Sequence, residues 1–157
     1  MAIGLFMKCA GCDGESENSE YKQWTHASSF SWGVTQPESM GRGGGGSAGL
    51  GTFHDLVVTA MMDKAYPDVL EKGANGKHLD KVELAGAKMG GKQWEYMKIT
   101  LEDVLVTSVS VSGSEGAEVI VSYGFQASKL QAEYSPQTSK GQKGSTVTKK
   151  WDVKANK

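Results

Sequence analysis

Cys9 and Cys12 are the only cysteines of the chain and stand as Cys9-Ala10-Gly11-Cys12, a spacing used by redox dithiols and by one corner of a zinc site. A redox thiol of that type needs a helix N-terminus to stabilise its thiolate, whereas this pair ends an apolar strand pattern and opens a polar loop. A zinc site needs a second ligand pair, and His26, His54 and His78 stand singly and far apart. His54 and Asp55 are neighbours in an extended pattern, so their side chains point to opposite faces and form no dyad. Gly44, Gly46 and Gly49 satisfy G-x-G-x-x-G, but Gly51-Thr52-Phe53-His54 leads into a strand rather than a phosphate-binding helix N-terminus, and no Lys-Ser or Lys-Thr follows. Glu102-Asp103 reads as a solvated corner between two strands. The expectation is no catalytic residue, no metal, no cofactor and no enzyme activity.

The hydroxyls are the feature these exclusions leave over. In Ser29-Phe30-Ser31-Trp32-Gly33-Val34-Thr35 a period of two places Phe30, Trp32 and Val34 on one face and Ser29, Ser31, Gly33 and Thr35 on the other. Between Leu105 and Ser112 the same period separates Leu105, Thr107, Val109 and Val111 from Val106, Ser108, Ser110 and Ser112. A solvated strand face usually carries Lys, Glu and Arg. Two charge-free faces of small polar residues suit a surface that lines something or packs against another chain.

The elements that would position these faces are short strands. The pattern predicts strands at Ile3 to Lys8, Ala27 to Thr35, Phe53 to Ala60, Lys81 to Ala87, Gln93 to Leu101, Val104 to Ser112, Val119 to Gln126 and Lys129 to Tyr134, with a last one from Val147 to Ala155. Met89-Gly90-Gly91-Lys92 and Gly113-Ser114-Glu115-Gly116 are the expected turns, and Cys9 to Gln23 the expected surface loop. Ala65 to Lys72 is the one helix candidate, with Pro67 in its first turn and Gly73 to stop it. That pattern is a β-barrel or a sandwich with one helix attached, in a single domain over 1–157. The Gly-rich stretch 36–51 is long for a compact domain, and such loops are commonly functional. With 17 basic and 18 acidic residues the formal net charge is -1, so no net field recruits nucleic acid or an anionic membrane. Ala2 to Met7 is too short for the core of a secretory leader, and no apolar run approaches membrane-spanning length.

Several segments, taken in order, resemble the haemolysin-coregulated protein (Hcp) family of bacterial type VI secretion systems. They are Gly14-Glu15-Ser16, Phe30-Ser31-Trp32-Gly33, the glycines from Gly43 to Gly46 and Gly49, Asp63-Lys64, Gly76-Lys77-His78, Glu95-Tyr96, and Ile99-Thr100-Leu101-Glu102-Asp103-Val104-Leu105-Val106-Thr107-Ser108. Cys9 and Cys12 stand outside that pattern. The resemblance implies a mainly β fold, a small closed β-barrel with one short α-helix packed at its side. It implies a homohexameric ring, rings stacked into a tube, and a contractile sheath that drives the tube outward. The implied partners are further copies of the chain, a spike protein of the VgrG type, the sheath and small effector proteins carried in the lumen. The implied location is the bacterial cytoplasm before firing, then the medium or a target cell, reached without a signal peptide. No toxin domain is expected beyond the last strand.

A ring of this kind needs two different complementary edges per subunit. If the two serine-bearing strands join an inner wall, Ser29, Ser31, Thr35, Ser108, Ser110 and Ser112 face the lumen and contact effectors. The 36–51 loop becomes an arm onto a neighbouring subunit or ring, through Met40, Gly43, Gly44, Gly45, Gly46, Gly49 and Leu50. The alternatives are a monomeric ligand-binding β-barrel with an apolar interior, and a thiol enzyme built on Cys12.

Overall fold

Alternating apolar residues become strands wherever a partner strand covers their backbone, and among the described residues nine such strands form, with one helix beside them. The computed structural model describes residues 2–36 and 51–157. The strands are β1 (Ile3–Cys9), β2 (Thr25–Ser31), β3 (Val34–Thr35), β4 (Thr52–Phe53), β5 (Leu56–Met61), β6 (Leu79–Lys88), β7 (Trp94–Ser112), β8 (Ile120–Tyr134) and β9 (Val147–Asp152). The helix α1 (Ala65–Asn75) lies between β5 and β6. Sheet order is β5-β2-β1-β6-β7-β8-β9, and a further β5–β8 pairing closes the first six into a barrel. All these pairings are antiparallel. One edge of β8 pairs with β5 from Ile120 to Phe125 and with β9 from Lys129 to Tyr134.

The barrel interior holds Met7, Leu56, Val58, Leu84, Leu101, Val104, Val121, Tyr123 and Phe125, each at most 2% exposed. The interior is thus filled with side chains, which leaves no room for the apolar ligand of the binding-barrel alternative. A second cluster sits on the outer face of β1 and β6, where Phe6 stacks on Tyr21 at 4.5 Å and Tyr21 meets Trp24 edge-on at 5.0 Å. The Cys9 to Gln23 segment, expected as a plain surface loop, therefore seals part of the barrel wall, because Tyr21 and Trp24 carry more apolar area than a solvated loop leaves exposed.

Several boundaries differ from the sequence reading, each for a physical reason. β2 ends at Ser31 rather than Thr35, and Thr35 pairs with Thr52 in the separate β3–β4 hairpin, where Val34 is 55% exposed. His54 and Asp55 break the expected Phe53 to Ala60 strand into β4 and β5. The helix continues through Gly73, which packs on Val106 and Val109, and ends at Gly76, whose φ of 71° supplies the left-handed cap. β7 is one strand through Glu102-Asp103, with Asp103 at φ 53°, and β8 is likewise continuous where two strands were expected. β9 ends at Asp152.

Candidate functional site

Two β-bulges set which residues face outward. In β2 the register shifts between Ala27 and Ser29, so that Ser28 is the extra residue and its hydroxyl donates to the Thr59 carbonyl at 3.0 Å. In β7 the shift falls between Val106 and Ser108. Each extra residue reverses the inside–outside parity beyond it. Val106 is consequently buried with the core, and Leu105, 38% exposed, shares the outer side with the serines. This corrects the alternation read from Leu105 to Ser112, which had placed Val106 with the serines and Leu105 opposite them.

The pairing then brings the sequence-predicted serines into rows that span four strands. Ser29 faces Thr59, Thr59 faces Ser122, and Ser122 faces Ser110. One step along, Ser31, Val57, Gly124 and Ser108 form the next row. Ser112 continues the same face beside Ile120 and Met61. Thr35 lies outside this panel, in the β3–β4 hairpin. Thr59, Ser122, Val57 and Gly124 were not singled out from the sequence. Their strands are dominated by apolar residues, and only the register reveals that they lie between the serine-bearing strands.

The panel has a tight seam. A Cβ on Gly124 would overlap the Ser108 hydroxyl and stand 2.8 Å from Thr107 Oγ1, so the outer faces of β7 and β8 meet here only with glycine. Beside the seam, Asp55 accepts hydrogen bonds from Thr107 Oγ1 at 2.6 Å and from Gln126 Nε2 at 2.6 Å. The break at His54-Asp55 thereby acquires a role, since it turns the carboxylate onto the bulge.

The panel also has two open edges. β1 pairs with β2 only up to Ala27, and β6 pairs with β7 only from Trp94 to Val104. Among the described residues, no strand covers the second edge of β2 from Ser29 to Ser31 or that of β7 from Leu105 to Ser112. Both hydroxyl-bearing rows therefore run from one free edge to the other.

The remaining chemical candidates are structural. Cys9 and Cys12 are free, buried thiols joined by a turn in which the Cys12 amide donates to the Cys9 carbonyl at 3.0 Å. Burial pushes both thiols up from their ordinary range, opposite to what a redox nucleophile requires. Asp103 lies at the bend of β7 with His78 Nδ1 at 2.7 Å, the Ser128 hydroxyl at 2.7 Å and Lys154 Nζ at 3.5 Å. The hydrogen bonds to His78 and Ser128 hold its carboxyl down at about 2. Among the described residues, no group of three or more His, Cys, Asp or Glu side chains is placed to hold a metal ion, and no helix is long and apolar enough to cross a membrane. Met40, Gly43, Gly44, Gly45, Gly46, Gly49 and Leu50 lie outside the described residues.

Comparison with known proteins places this architecture. A family model described as type VI secretion system effector, Hcp, matches residues 6–134. The chain is 36% identical over 159 aligned residues to Protein hcp1 of Pseudomonas aeruginosa, covering 99% of this chain and 98% of that protein. It is similar to the crystal structure of Hcp1 from Salmonella typhimurium at 31% identity and a TM-score of 0.83, with 100% of this chain and 99% of that one covered. A structure described as a type six secretion system protein superposes with a TM-score of 0.93 at 26% identity, covering 99% of each chain.

Proposed function

The chain belongs to the Hcp family of type VI secretion tube proteins, and from that premise we propose that six copies close head to tail into a ring whose lumen is lined by the β2-β5-β8-β7 panel. The observation that carries this reading is the pair of free edges on that panel. An antiparallel panel of four strands has edges running in opposite directions. Identically oriented copies therefore join β7 of one to β2 of the next as another antiparallel pair, and the wall closes with no edge left over. At a strand spacing of ~4.8 Å, six such panels give a circumference of roughly 115 Å and a wall about 37 Å across, which strand tilt widens further. A folded domain of ~100 residues has a radius of gyration near 13 Å and fits inside.

Small, uncharged side chains suit that wall. Ser29, Ser31, Ser108, Ser110 and Ser112, with Thr59 and Ser122 between them, keep the lumen wide and offer hydroxyls that hold cargo through water-bridged contacts rather than through a fixed pocket. Weak holding favours release. In this reading rings stack into a tube that a contractile sheath expels from the bacterial cytoplasm. A spike protein of the VgrG type meets the tip, small effectors ride inside, and Thr35 and the 36–51 segment take part in contacts between copies. The native mass tests the ring: light scattering of the purified chain should give six times 16.7 kDa. A single-chain mass at micromolar concentration would overturn the assignment.

A further inference from the structure

Cys9 and Cys12 stand apart from the motifs that mark the family, and the fold brings them face to face. β1 ends at Cys9, Ala10 and Gly11 turn the chain, and Cys12 returns as the partner of Cys9 in an isolated antiparallel bridge. Gly11 at φ 77° and the Cys12 amide on the Cys9 carbonyl at 3.0 Å make this a tight four-residue turn. Such a turn holds its first and last Cα atoms within ~7 Å, the limit beyond which two cysteines cannot be bridged. Residues paired directly across an antiparallel ladder carry their side chains on the same face. Cys9 is 1% and Cys12 2% exposed, and both belong to the core cluster that includes Ala65 and Val69 of α1.

Burial that disfavours both thiolates costs a neutral disulfide nothing. The disulfides of oxidising enzymes are readily reduced because their proteins stabilise the thiolate. Here the surroundings do the opposite, so the bond resists reduction once it has closed. The way in is the turn itself. Gly11 and Asp13 are exposed, and a Cβ on Gly11 would meet nothing within 4 Å. The turn is held by the Ala10 amide on the Lys81 carbonyl at 2.9 Å, by the Cys12 to Cys9 hydrogen bond and by the Lys8–Asp13 ion pair beside it. Resting on the reading that the chain is expelled from the cytoplasm, we propose that Cys9 and Cys12 are a disulfide site, kept as thiols inside the cell and closed outside it by exchange with a small-molecule disulfide. Cys12 lies between two exposed residues and is reached first when the turn opens, whereas Cys9 is paired with Val82 in the ladder. The Cys12 thiolate attacks one sulfur of the oxidant, forming a mixed disulfide and releasing one thiol. Cys9 then gives its proton to water and attacks Cys12 Sγ, releasing the second thiol, so that two electrons pass from the cysteines to the oxidant. The bond fastens the start of the 10–23 segment, whose Tyr21 covers Phe6, to the end of β1.

The full chain, purified under reductant in its native assembly, tests the site when it is incubated with oxidised glutathione, denatured, alkylated and weighed. The expected chain mass is lower by two hydrogens with no alkyl group added, while the untreated chain takes up two. The thermal midpoint of the closed form should rise by about 3–6 °C over the reduced form. Disulfides between chains, a glutathione adduct that never closes, two thiols still open to alkylation, or a lower midpoint would each rule the site out. The export step is read from chain collected from the culture medium and from cells, alkylated on collection, and the bond should be closed in the first and open in the second. Open thiols in the medium, from a chain that closes when purified, would sink the link to export. If no chain reaches the medium, the expulsion reading fails instead, and the purified chain still decides the disulfide.

Discussion

At the residue scale, Gly124 shows how close approach rather than backbone angle can demand glycine. A Cβ there would overlap the Ser108 hydroxyl and crowd Thr107 Oγ1, and both neighbours are tied into the bulge, Thr107 by its bond to Asp55. Gly124→Ala should cost about 1–3 kcal/mol, the usual penalty for overpacking, read as a lower urea midpoint of the purified chain. Gly33→Ala is the control, because its nearest atom would be His54 Cδ2 at 3.8 Å, and its change should stay within about 0.5 kcal/mol. Adding Ser108→Ala to Gly124→Ala should return part of the loss. If both glycine substitutions behave alike, the seam is not tight. None of this was legible in the sequence, where Gly124 is one glycine among 21.

At the element scale, long strands that bend replace the pairs of short strands the sequence suggested. Glu102-Asp103 looked like a corner because two charges interrupt an apolar pattern. The chain instead passes through Asp103 at φ 53° without leaving the ladder, since Glu102 still pairs with Lys129 and Val104 with Ala127. The polar interruption was legible, but the partners that let a strand survive it were not, because His78, Ser128 and Lys154 come from three other places in the chain. The Asp103 carboxyl is held at about 2, below its unfolded value of 3.8. Its contribution is therefore complete above about pH 4 and is lost as pH falls toward 2. Asp103→Asn keeps a residue that tolerates positive φ but removes the titration. The variant should be less stable than the parent at pH 6, and the gap in thermal midpoint should narrow between pH 4 and pH 2. A gap independent of pH would show that the carboxylate charge does not matter at this bend.

At the scale of the whole molecule, the barrel acts as a scaffold that turns one four-stranded face outward, with two of its edges paired to no strand among the described residues. Ser122 sits mid-panel, away from both edges, so Ser122→Trp should leave the native mass at six chains while reducing co-purifying cargo severalfold. Unchanged cargo recovery would remove the hydroxyl face from the lumen. Periodicity, composition and ordered motifs sufficed for the β-rich class, the family, the single helix and the small polar character of both serine strands. Those properties depend on side-chain alternation and turn residues, which are local. Whether Leu105 or Val106 faced the core, that Thr59 and Ser122 complete the row between Ser29 and Ser110, and that both rows end at free edges were decided by the tertiary structure alone. A bulge reverses parity only relative to a partner strand, and an edge is open only where no other strand reaches it. Both are facts of pairing between segments distant in the chain, which one-dimensional spacing does not contain.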